Sequence, residues 1–250
     1  LYSFYEGGNL VEVYAMPFIL IGIYIFRDYF TKDIINWKRL VICGAACAAI
    51  FLLRPNMIST WVVFPLMVLI RCIKRREFSR IIHFLLFFLI GFLAFCFPAV
   101  VYLVAHNAFE DFIYCYFQFN FAYIALNSST VSSKIEAVKY FVSYFQVYVA
   151  FVIMGLMILK NKAERFFNIG YLIYMATSVI FISFSGVTYG HYGMTLLPML
   201  IYPYSIAFGE VNIRMILEHK LLLAIIIYVT VFMFGVNPLY IIQNGKAIAI

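Results

Sequence analysis

Apolar residues fall along this chain in runs separated by short charged breaks, and the spacing of those breaks predicts helices. The organising run extends from Leu40 to Ile70. It is largely apolar for fourteen residues (Leu40 to Leu53), breaks at Arg54-Pro55-Asn56, and is largely apolar for fourteen more (Met57 to Ile70). Fourteen helical residues cover about 21 Å, whereas a bilayer core is about 30 Å thick. One unbroken helix would be far too long, and Pro55 would break it. Both flanks are basic, with Lys32, Lys38 and Arg39 before the run and Arg71, Lys74, Arg75, Arg76 and Arg80 after it. By the positive-inside rule both flanks face the cytoplasm, so the chain crosses, turns at Arg54-Pro55-Asn56 and returns. Arg54 then stands at or near the outer face. There it either snorkels to the headgroups or serves a ligand.

The same reading extends along the chain. Residues 1–12 carry no lysine or arginine and fit the outside. Val13 to Phe26 is the first predicted span, and the two short spans around Arg54 follow. Ile81 to Ala105 is the longest predicted span, at 25 residues, with a kink expected at Pro98. Asn107 to Tyr140 carries eight aromatics between Phe109 and Tyr123 and then polar residues from Asn127 to Ser133. That segment predicts an outer interfacial helix followed by a loop. Further spans are expected at 141–159, 166–185, 193–208 and 221–242, with a tight outer turn at Gly186 to Tyr192. The sum is an all-α, polytopic bundle of about eight membrane helices, a single membrane domain over 1–250, with its N-terminus outside. The outer segments hold Arg54, Lys134, Lys139 and Lys246, and the other fourteen basic residues lie inside. A reversed orientation would invert that ratio.

Composition narrows the class. The chain is 66% hydrophobic and only 12% charged, whereas soluble domains are roughly 45–50% apolar and about 25% charged. The expectation is a multi-pass plasma-membrane protein, read as an internal fragment of a longer chain. Its net charge of +7 comes from short loops between apolar runs, which is an orientation signal and does not argue for nucleic acid. The five cysteines have no paired spacing and read as small apolar packers. Gly-rich phosphate loops, HExxH, CxxC and nucleophile elbows are all absent from the sequence.

Once oriented, the polar residues gather at the outer face. Glu6, Asn9 and Glu12 stand at the mouth of the first span, and Arg54 and Asn56 at the turn. Glu110, Asp111 and Asn120 belong to the aromatic segment, and Tyr189, His191 and Tyr192 to the turn at 186–192. An arginine, a histidine and tyrosines around one cavity suit a phosphate or pyrophosphate. Carboxylates on the same face suit proton abstraction, or a divalent metal that holds a diphosphate.

Three pieces, in order, resemble one family. They are FYEGGNLVEVYAMPFILIGIYIF (Phe4 to Phe26), CGAACAAIFLLRPNMISTWVVFPLMVLI (Cys43 to Ile70) and YGHYGMTLLP (Tyr189 to Pro198). The arrangement resembles the multispanning GT-C type glycosyltransferases of the polyprenyl-phosphate-sugar mannosyltransferase-like group. The resemblance implies transfer of a sugar from a polyprenyl phosphate to a glycan, lipid or protein acceptor on the outer face. It implies a catalytic acid upstream of residue 1, so no catalytic residue is assigned. Arg54, His191 and Tyr192 would then meet the donor phosphate, and Glu6, Asn9, Glu12, Asn56 and Tyr189 the rest of the substrate. An O-antigen or exopolysaccharide polymerase is the first alternative, although the 107–140 segment lacks the arginines expected of one. A lipid-linked-sugar flippase or transporter is the second, although it would place charges at mid-membrane and show inverted repeats.

Overall fold

The computed structural model describes residues 10–34, 36–127 and 131–209. Every regular element among the described residues is helical. In chain order they are α1 (Val11–Lys32), α2 (Trp37–Leu53), α3 (Ser59–Arg75), α4 (Phe78–Ala105), α5 (Phe109–Ile113), α6 (Phe119–Asn127), α7 (Val131–Val142), α8 (Phe145–Lys160), α9 (Arg165–Ile182) and α10 (Leu197–Gly209). A 3-10 turn at Pro55–Met57 joins α2 to α3, and a 3-10 helix at Gly190–Leu196 leads into α10.

Local chemistry sets the boundaries that matter. Asn36 starts α2, its side chain accepting from the Lys38 N–H at 2.9 Å. Pro55 ends α2, because a residue before proline is pushed out of the helical region. Arg54 is accordingly extended, with φ −164° and ψ 109°. Asp33 closes α1 in the left-handed conformation, which a short polar side chain tolerates.

The core forms where α1, α3 and α9 meet. The Phe64 ring stacks on Phe26 at 5.3 Å and on Phe167 at 5.7 Å, and Tyr174 lies 5.6 Å away. The long helix α4 buries only Phe84 and Gly91 and packs chiefly on α2. That packing is backbone to backbone. A methyl group on Gly44 would collide with the Phe88 carbonyl, and one on Gly91 with the Val41 carbonyl.

Three helices, α1, α4 and α9, are long and apolar enough to cross a membrane. The pair α7 and α8 passes the same test only as one span bent by 80°, which makes up to four among the described residues. The eight predicted spans are therefore revised. Helices α2 and α3 are 17 residues each, about 25 Å and short of a bilayer core. Helix α10 has 13 residues, because the stretch before it winds as a 3-10 helix. The span expected at 221–242 lies outside the described residues. The aromatic segment departs from prediction as well. It is helical from Phe109 to Asn127 with a π-helical insert at Tyr114–Gln118, and most of the region read as a loop is helix α7. Ala137 and Phe141, one turn apart, anchor α7 by burial.

Candidate functional site

The antiparallel run of α1, α2 and α3 gives the bundle two polar ends. At one end Asp28 accepts from Lys32 at 2.8 Å and from Arg39 at 2.6 Å. Asp33 there faces Arg71, Arg75 and Arg80 at 3.2, 3.4 and 3.2 Å. Partial burial pulls the Asp33 carboxyl upward, but the Arg80 hydrogen bond and the charges of Arg71, Arg80 and Arg75 outweigh it. The group sits below the usual carboxylate range. The other end has fewer charges, and they are more enclosed.

That second end is built around Arg54. Its extended backbone, imposed by Pro55, presents the guanidinium to Glu12 in the first turn of α1. The two form an ion pair in which the Glu12 side chain is only 2% exposed and that of Arg54 27%. The Arg54 guanidinium also lies over the Tyr192 ring, 4.4 Å from its centroid. An acid from α1, a base from the end of α2 and an aromatic from the 3-10 helix are thereby fastened together.

A cavity of about 370 Å³ opens beside them, within the size range of small-ligand sites. Arg54, Asn56 and Tyr192 line it, as do Tyr116, Asn120 and Ser185. Two of its polar atoms, Asn56 Oδ1 and the Tyr116 hydroxyl, are buried without a hydrogen-bond partner. Burial pushes the Tyr116 hydroxyl well above its ordinary pKa, so it is a protonated donor. The π-helical insert places that ring, and the Asn120 amide donates to the Cys115 and Tyr116 carbonyls at 3.3 and 2.8 Å. Single π-helical turns are frequent at functional sites. Nearby, Ser59 and Ser178 hydroxyls lie 2.7 Å apart and tie α3 to α9.

The residues singled out in the sequence fall into three groups. Glu12, Arg54, Asn56 and Tyr192 come together at or directly behind the cavity wall. Tyr189 and His191 do not line it. Their rings stack at 5.5 Å, and each meets Tyr192 edge-on, at 5.4 and 4.7 Å. Glu6 and Asn9 lie outside the described residues. Glu110 and Asp111 are exposed in the first turn of α5, where acidic side chains favour a helix start. Tyr116 and Ser185 were not anticipated. The only sequence signal for Tyr116 was its place in the aromatic run, which reads equally well as lipid contact. Among the described residues no three His, Cys, Asp or Glu side chains gather as metal ligands.

These features define an all-helical protein with helices able to cross a membrane and an arginine-centred cavity at one end of the bundle. Residues 2–222 match the family described as "Putative competence-induced protein Ccs4 N-terminal domain", and the chain belongs to that family. No curated protein and no solved structure matches the chain. The family match overturns the resemblance to GT-C type glycosyltransferases. Its three pieces are a helix with an acid at its mouth, a small-residue helix ending at Arg-Pro, and a Tyr-His turn. Each is a general solution to helix packing and helix termination, and their order does not carry a family.

Proposed function

We propose that this is a multi-pass plasma-membrane protein that receives the sugar-phosphate head of a polyprenyl-phosphate-linked sugar in the Arg54 cavity. The Arg54 end faces outward and the basic end faces the cytoplasm, as the positive-inside rule requires. The sugar passes to a cell-envelope glycan, lipid or protein acceptor. In that exchange the acceptor oxygen bonds to the anomeric carbon, polyprenyl phosphate leaves with the bonding pair, and the acceptor's proton goes to solvent. Arg54 would stabilise the leaving phosphate.

The observation that carries the reading is the presentation of Arg54. Glu12 and Tyr192 fix it, and it lines a cavity that also contains two unpartnered polar atoms. A guanidinium has five N–H donors in a rigid fork, so the pair with Glu12 leaves others for a phosphate. Asn56 Oδ1 can accept from a sugar hydroxyl, and the Tyr116 hydroxyl can donate to one. Glu12, buried behind the arginine, acts as a positioning residue.

The test is sugar transfer from a radiolabelled polyprenyl-phosphate hexose by the full chain in proteoliposomes. Arg54→Lys keeps the charge and loses the fork. It is expected to lower transfer by about tenfold to a hundredfold, the size of a lost charged hydrogen bond. Equal transfer by the variant would remove Arg54 from the reaction. Donor binding without turnover in the unaltered protein would make the chain a binding module.

A further inference from the structure

The basic end carries a second concave site, and we propose that it binds an anionic diacyl phospholipid of the bilayer. A cavity of about 310 Å³ opens where the last turn of α3 meets the first turn of α9. Three cations line it, Arg71, Lys74 and Arg75, spaced so that they share one face of α3. Their occupancies differ. Arg71 is committed to Asp33 at 3.2 Å and donates to the Phe30 carbonyl at 3.1 Å. Arg75 reaches Asp33 only at 3.4 Å. Lys74 is exposed and has no ion-pair partner among the described residues. The site therefore keeps positive charge to offer, with Glu164 as the one carboxylate on its wall.

Two further features separate this site from an ordinary cytoplasmic charge run. Its base is aromatic, with Phe30 and Phe166 rings 5.6 Å apart and Phe167 beside them. Exposed apolar tracks also lead away from it along both helices. On α9 the track is Phe166, Ile169 and Ile173, and on α3 it is Val62, Leu66 and Ile70, each at helical spacing. A headgroup pocket with two apolar tracks fits one phosphate and two acyl chains. Basic pockets between helices at this depth are where anionic lipid headgroups bind. A soluble anion would use the cations and have no use for the tracks.

The site lies at the far end of the bundle from Arg54, so its test does not depend on the proposed sugar transfer. The purified, delipidated full chain is titrated in detergent with fluorescent phosphatidylglycerol. The double variant Lys74→Gln/Arg75→Gln is compared with Lys38→Gln/Arg76→Gln, which removes the same charge elsewhere at the basic end. A delocalised attraction is worth about fivefold per cation, roughly twentyfold for two. The site predicts a loss well beyond that for the first variant and no more than that for the second. Phe166→Gln, which leaves the charge unchanged, is expected to weaken the lipid severalfold. Equal losses in the two double variants overturn the proposal in favour of a delocalised basic surface. Competition by inorganic phosphate as strong as by phosphatidylglycerol overturns it in favour of a soluble anion.

Discussion

The two ends of this bundle solve the same electrostatic problem in opposite ways. At the basic end acids are shared. Asp33 faces three arginines, and no single partner is indispensable. At the Arg54 end the arrangement is one to one, with Glu12 buried, Arg54 its ion-pair partner, and a single aromatic face under the guanidinium. Shared exposed charges tolerate loss and respond to salt and pH. An enclosed pair tolerates neither partner's removal, because the remaining charge is stranded. The contrast suits a scaffold that orients itself with one end and recognises something with the other.

The largest effect expected from breaking that contrast is at Glu12. Glu12→Ala should destabilise the protein by about 3 kcal/mol, the low end for a broken buried pair because Arg54 is partly exposed. Adding Arg54→Met should recover part of the loss. Unfolding in detergent measures both, and purely additive losses would mean that the pair is not coupled. Next is Tyr192→Leu, which removes the aromatic face from the guanidinium. About 1 kcal/mol is expected from the same assay, and a smaller loss in the Arg54→Met background would identify the cation–π contact as its source.

The smallest effect is expected at Asp33. Asp33→Asn should cost less than about 1 kcal/mol and fade as salt is raised, as exposed ion pairs do. Its pH dependence has a definite sign. The folded-state pKa lies below the ordinary value, so the contribution is complete above about pH 4, the unfolded carboxylate range, and is lost as pH falls through the folded value. Comparing unfolding of the unaltered protein and the Asp33→Asn variant from pH 7 down to pH 3 checks this. The two should converge at the acid end, and a gap that widens there would contradict the assignment.

Much of the helical hairpin was legible because its punctuation is local. Pro55 ends α2 whatever surrounds it, and basic flanks announce the opposite end. The lengths were less legible. Hydropathy alone cannot show that α2 and α3 extend to 17 residues while α10 stops at 13, since the 3-10 helix before α10 is set by tertiary packing. Helix α7 was missed because Ser132, Ser133, Lys134 and Glu136 read as loop, while its buried anchors Ala137 and Phe141 make sense only against the helices they touch. At the cavity, the grouping of Glu12 with Arg54 could be suspected from sidedness, but their direct pairing could not. Tyr116 was hidden among eight aromatics, and only the π-helical insert distinguishes it. The mistaken family resemblance has a similar origin, since motifs built from helix ends and small residues recur wherever apolar helices pack.

The paired glycines of α2 and α4 have a mechanical consequence. Gly44 meets the Phe88 carbonyl and Gly91 meets the Val41 carbonyl, so no flexible side chain cushions the join. A displacement of the long outer helix would pass undamped into the helix that ends at Arg54. Any tilt imposed on α4 by the thickness of its surroundings becomes, at the far end of its neighbour, a change in where a guanidinium points.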